Sequence, residues 1–194
     1  MLVLLRHGQT DANAHGLLLG RSDLPLTELG RRQAVAAGHV LPQDARVITS
    51  PLARARETAT LAFPEIPASI DERWIEIDYG EYEQMAMTEV PEADRRVWRT
   101  DLSFCPPGGE SLIDVGRRVR EAVESIMAEA RTRDVVVVSH VSPIKAALAW
   151  ALGVGDEVAW RMHLSVAAIS RISMVPGPVL ESFNEVAHLD PLAR

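Results

Sequence analysis

The sequence predicts an α/β fold: a three-layer sandwich with a central, mostly parallel sheet flanked by helices. Three observations predict it. Val135–Val138 is an unbroken β-branched run, the pattern of a strand buried on both faces. Just before it, Leu112, Val115, Val119, Val123, Ile126 and Ala130 recur at helical spacing, with Arg117, Arg118, Glu121 and Glu124 off the stripe. Short apolar runs and amphipathic segments also alternate along the whole chain.

Each element follows in order. Leu2–Leu5 reads as a buried strand. A Gly-punctuated irregular stretch runs through Gly16, Gly20 and Pro25. Thr27 caps a helix from about Glu28 to Leu41, ended by Pro42. Ala45–Thr49 is a second strand, and Pro51 suits the first turn of a helix running to about Ala62. Between Ile70 and Tyr82 aromatic and acidic residues crowd together. Strand alternation there puts Trp74, Glu76 and Asp78 on one side and Ile75 and Ile77 on the other. Glu92–Thr100 is a short helix and 105–109 a loop. Ser142-Pro143 opens a helix that Gly153 can end. Val166–Val175 and Val179–Val186 close the sheet around the Pro176-Gly177-Pro178 turn.

At 194 residues and 47% hydrophobic, the chain suffices for one sizeable core, so a single domain over 1–194 is expected. The formal charge of −7 argues against a nucleic-acid or anionic-membrane partner. One cysteine, Cys105, permits no intrachain disulfide and fits a reducing compartment. The apolar run Met1–Leu5 is too short for a signal peptide, and no run approaches the roughly 20 residues of a membrane span. The expected location is therefore cytoplasmic.

In such sheets ligands bind beyond the carboxyl ends of the strands. His7 and His140 both stand there, after Leu2–Leu5 and Val135–Ser139. A histidine nucleophile needs one ring nitrogen free and the other held by an acceptor that fixes the tautomer. The turn at Gly8 can bring a backbone carbonyl to that second nitrogen. Arg54, in the first turn of a helix after a strand, can join the helix N-terminus in facing an anion. A carboxyl beside Trp74 is partly desolvated, which favours its protonated form and suits it to donate a proton. The residues alone do not choose among Glu76 and the nearby Asp71, Glu72, Asp78, Glu81 and Glu83 for that role.

Other chemistries fare badly. No arginine stands six residues after Cys105, where a cysteine phosphatase loop needs one. The six histidines show no H-E-x-x-H spacing, and neither a Walker loop nor G-x-G-x-x-G occurs.

Arg6-His7-Gly8-Gln9-Thr10 resembles the arginine–histidine–glycine signature of the histidine phosphatase (phosphoglycerate-mutase-like) superfamily. Further blocks are similar and fall in the family's order: Gly20–Asp23 with Leu26–Gly30, Ser50–Ala55, Glu76–Glu81 with Glu83, Pro107–Ser111, Ser139-His140, and Asn184 with His188-Leu189. The resemblance implies that His7 takes the phosphoryl group and Glu76 protonates the leaving oxygen. It implies that Arg6, Arg54, Asn13 and His140 grip the phosphate, His140 as an imidazolium. The chain departs from the family at Val141 and Gln84, where glycine is usual. The Val141 backbone N–H is expected to remain available for an oxyanion. The implied activity is hydrolysis of small phosphorylated metabolites through a phosphohistidine, with no metal or cofactor, since the arginines supply the charge. A mutase and a non-catalytic phosphate-binding protein are the alternatives. The short segment between Glu83 and Ser111 leaves little for a mutase's lid, and a homodimer is plausible by family analogy.

Overall fold

The computed structural model describes residues 1–192. Its six strands are β1 (Leu2–Arg6), β2 (Arg46–Thr49), β3 (Ser69–Ile70), β4 (Val135–Ser139), β5 (Ile169–Ser173) and β6 (Val179–Glu185). They form one sheet in the order β3-β2-β4-β1-β5-β6. The pairs β3–β2, β2–β4 and β4–β1 are parallel, and β5 and β6 add two antiparallel pairings at one edge. The helices are α1 (Asp11–Ala14), α2 (Glu28–Gly38), α3 (Ala53–Ala62), α4 (Glu92–Thr100), α5 (Leu112–Ala130) and α6 (Val141–Leu152).

Strand alternation divides the core in two. Leu2, Leu4, Ile48, Val135 and Val137 face α5 and α6, packing with Val119, Val123, Ile144 and Leu148. Val3, Leu5, Val47, Val136 and Val138 face α2 and α3, packing with Ala37, Ala55 and Ala59. The expected three layers result, with Leu2–Leu5 and Val135–Val138 fully buried. Among the described residues no helix is long and apolar enough to cross a membrane.

Several boundaries differ from those expected. Helix α2 ends at Gly38, and the turn beyond tightens, His39 N–H reaching the Ala36 carbonyl at 3.3 Å. Pro51 lies outside α3, where the Leu52 N–H is taken by Ser50 Oγ. Strand β5 starts at Ile169 rather than Val166 because Ala167 adopts φ 52°, which breaks the ladder. Its N–H instead reaches the His7 carbonyl (3.0 Å).

The largest departure lies between Ile70 and Tyr82. Instead of an extended run, Glu72–Trp74 is a 3-10 turn capped by Asp71, whose Oδ1 accepts from Arg73 N–H. Alternation therefore fails: Trp74, Glu76 and Ile77 are all buried.

Candidate active site

The sheet register brings the two histidines together. Arg6 pairs with Ser139 across the parallel strands β1 and β4, and His7 N–H donates to the Ser139 carbonyl (2.9 Å). The residues that follow each strand are thus neighbours, and the rings of His7 and His140 stand 5.0 Å apart, tilted at 57°. The next strand, β2, ends at Thr49, and Ser50 N–H continues the ladder onto the Val138 carbonyl. Three parallel strands therefore deliver His7, His140 and Ser50 to one edge, with α3 starting beside them.

His7 is almost wholly buried. Its Nδ1 lies 2.7 Å from the Gly8 carbonyl, so the ring carries its proton there and Nε2 keeps its lone pair. The backbone is pinned to allow this. A Cβ on Gly8 would lie 2.3 Å from the Gly30 carbonyl, so the start of α2 can press on this loop only because both residues are glycine.

Arg54 is fully buried and donates in three directions: Nε to His7 Nε2 (3.3 Å), Nη1 to the Ser22 carbonyl (2.9 Å) and Nη2 to the Gly20 carbonyl (2.6 Å). Arg6 donates Nη1 to the Leu164 carbonyl (2.7 Å), while its buried Nε has no partner among the described residues. Burial lowers the Arg6 pKa to about 10, against the opposing pull of Glu76. Burial first, then the charge of Arg54, holds the pKa values of both histidines well below the ordinary value. Burial beside two guanidiniums thus works against the imidazolium expected at His140, which a bound anion would favour.

His140 Nε2 lies 2.7 Å from Ser50 Oγ, and its Nδ1 is buried without a partner among the described residues. A Ser50 hydroxyl that donates to Nε2 leaves Nδ1 as an N–H donor. In that tautomer the site holds two orphaned buried donors, His140 Nδ1 and Arg6 Nε, each costing about 1–3 kcal/mol while unmet. An anion would meet them.

Glu76 is the buried acid, and its setting is more specific than desolvation by Trp74. Both carboxylate oxygens accept backbone N–H groups: Oε1 from Ile77 (2.8 Å) and Ser142 (3.1 Å), Oε2 from Val141 (3.0 Å). Asp78 is only partly buried, accepts from Gly80 N–H and pairs with Arg21. The Val141 amide, expected from the sequence to remain available for an oxyanion, is instead taken by Glu76 Oε2. It is one of the free N–H groups that open α6, and Glu76 already satisfies it. Asn13 stands close to the His7 loop, and its Oδ1 accepts from both Thr10 N–H and Thr10 Oγ in a capping box.

Two contributors carried no local sequence signal. Ser50 orients His140, although it is a lone hydroxyl before a proline. Glu83 is one of several acids in its segment, yet its carboxylate gathers four backbone N–H groups. Oε1 accepts from Arg21 (2.9 Å) and Tyr79 (3.3 Å), Oε2 from Gly20 (3.2 Å) and Ser22 (3.3 Å). It thereby orders the loop whose carbonyls hold Arg54. Both residues lie inside the blocks that resemble the family, and no periodicity or spacing singles them out.

The sheet and its carboxyl-edge histidines define an α/β protein with a buried, cationic histidine pocket. The chain belongs to the histidine phosphatase superfamily (branch 1), whose family model matches residues 2–185. It is 41% identical over 177 residues to a bifunctional protein of Mycobacterium tuberculosis, a match covering 87% of this chain and 49% of that protein. The chain thus spans about half the length of that relative. It is 39% identical to a glucosyl-3-phosphoglycerate phosphatase of Mycolicibacterium vanbaalenii, covering 78% of this chain and 74% of that one. A phosphoserine phosphatase from Entamoeba histolytica, solved with 3-phosphoglyceric acid, superposes with a TM-score of 0.89 at 26% identity, covering 97% and 98% of the two chains.

Proposed function

We propose that the chain is a phosphomonoester hydrolase for small phosphorylated metabolites and that His7 carries the phosphoryl group. The observation that carries this reading is His7 itself: Nδ1 is tied to the Gly8 carbonyl and Nε2 keeps its lone pair beside Arg54, with unmet N–H donors on Arg6 and His140 around it. The named phosphatases among its relatives support the same reaction class.

The phosphoryl group enters between Arg6, Arg54, His140 and Asn13, and its oxygens take the orphaned donors. His7 Nε2 forms the new N–P bond as the P–O bond to the alcohol breaks, and the alcohol oxygen leaves with a proton from Glu76. Water then attacks phosphorus with Glu76 as base, which breaks the N–P bond and releases inorganic phosphate. The arginines spread the charge of the transferring group through both steps.

The test is to trap an acid-labile, base-stable phosphoenzyme on a generic phosphomonoester and locate it by mass spectrometry. Label at His7, together with loss of turnover by more than about 1,000-fold in His7→Ala, is the expected result. Near-wild-type turnover by His7→Ala would sink the assignment. Isomerised product in place of free phosphate from 3-phosphoglycerate would make the chain a mutase.

A further inference from the structure

Lys145 is the only lysine among the chain's 20 basic residues, and nothing in the phosphoryl site uses it. It stands on α6 one turn beyond Val141, so the two side chains share a helix face. Both open onto a cavity of about 80 Å3, walled also by Ile77, Tyr79, Trp98 and Trp160. That cavity adjoins Glu76, since the amides of Ile77 and Val141 are two of the groups that hold its carboxylate. If Glu76 protonates the leaving alcohol, that alcohol lies beside this cavity.

The wall is otherwise largely aromatic and apolar, with Ser142 also lining it. Trp98 is buried against Tyr79, with ring centroids 5.6 Å apart, and meets Trp160 edge-on at 6.2 Å. Against it the Lys145 ammonium donates to the Ala159 carbonyl (2.8 Å) and, among the described residues, pairs with no carboxylate. Burial lowers its pKa, while Glu76 pulls the other way and Arg6 adds to the lowering. A cation of three donors with one carbonyl partner, set in a half-buried aromatic wall, has capacity left for an anion.

We propose that Lys145 is a specificity-determining residue that binds an anionic group on the alcohol half of the substrate. Resting on the phosphatase reading above, this narrows the substrate class to phosphate esters whose alcohol half carries a second anionic group. The cavity has room for several water-sized groups, which suits a short acid rather than a bulky one.

The test compares 3-phosphoglycerate with glycerol 3-phosphate, which has a hydroxymethyl group where the former has its carboxylate. The wild-type protein prefers the acid in kcat/KM by about tenfold or more, the scale of one charge-assisted hydrogen bond. Lys145→Met erases most of that preference, chiefly through KM for the acid, and Lys145→Arg restores part of it. A preference ratio does not depend on how much of a variant folds. A second measurement needs no variant: 3-phosphoglycerate shields Lys145 from an amine-acylating reagent, read by mass spectrometry, and glycerol 3-phosphate does not. The inference is overturned if the wild type shows no preference, if Lys145→Met lowers both substrates alike, or if both ligands shield equally. If neither ester nor p-nitrophenyl phosphate is hydrolysed and no phosphoenzyme forms, the phosphatase reading fails and takes this inference with it.

Discussion

Glu83 touches neither histidine, yet it decides where Arg54 can point. Its carboxylate clamps the amides of Gly20, Arg21 and Ser22, and the carbonyls of Gly20 and Ser22 hold the two Nη atoms of Arg54. Space is so short that a Cβ on Gly20 would lie 2.1 Å from Glu83 Oε1. Glu83→Gln keeps the size but turns an NH2 group toward N–H donors. The loop then relaxes, and the Arg54 Nε that faces His7 moves with it. A displacement of this kind costs on the order of 10- to 100-fold in kcat. Because the arginine still carries its charge, the loss falls on kcat more than on KM. Equal kcat for Glu83→Gln and wild type would show that the clamp does not position Arg54. How much of the site was legible follows from the same contrast. His7, His140 and Arg54 stand at strand ends and at a helix start, where residue chemistry put them forward, whereas Glu76 stood out from its neighbouring acids through the family resemblance. Glu83 and Ser50 act through hydrogen bonds to other groups, and only the folded register brings those partners to them.

Among the elements, those that follow their pattern are the ones whose hydrogen bonds stay within the backbone. Val135–Val138, Leu2–Leu5 and α5 stand where periodicity places them. Irregular stretches are those in which side chains replace backbone partners, and 70–84 is the clearest case. There Asp71 caps a turn, Glu76 takes the start of α6, Asp78 takes Gly80 N–H, and Glu83 takes four amides. No repeat of two or 3.6 residues survives such an arrangement. The stretch ends at Gln84, which adopts φ 62° while its N–H donates to the Leu18 carbonyl (2.7 Å). This is the left-handed region that favours glycine, so the family's usual glycine at this position has a backbone reason. Gln84→Gly relieves the strain, although glycine also gains freedom in the unfolded chain. The expected net gain is about 0.5–1 kcal/mol in urea unfolding, with an unchanged m-value. A destabilised Gln84→Gly would mean that the contact of the Gln84 amide with Ser22 Oγ outweighs the strain.

For the molecule as a whole, the buried histidine pocket is a place where stability is given up. Burial and the neighbouring guanidiniums keep His7 and His140 neutral well below the ordinary histidine pKa, and burial also lowers His188. The unfolded chain protonates these rings at about 6.5. Below that pH the unfolded state binds protons that the native state refuses. Unfolding free energy therefore rises with pH here, and stability is lost as pH falls from about 6.5 toward the native values. Each ring contributes at most about 1.4 kcal/mol per pH unit in that window. The melting temperature should accordingly drop between pH 6.5 and 5.5, above the range where ordinary carboxylates titrate, and His140→Gln should make the drop shallower. If the pocket binds phosphate as proposed, inorganic phosphate reverses the sign of the local field. It offers acceptors to Arg6 Nε and His140 Nδ1, and its charge favours the protonated rings. Added phosphate should raise the melting temperature, and raise it more at pH 5.5 than at 7.5. A melting temperature that is flat across this window, or a phosphate effect independent of pH, would show that the buried histidines do not couple the fold to its ligand.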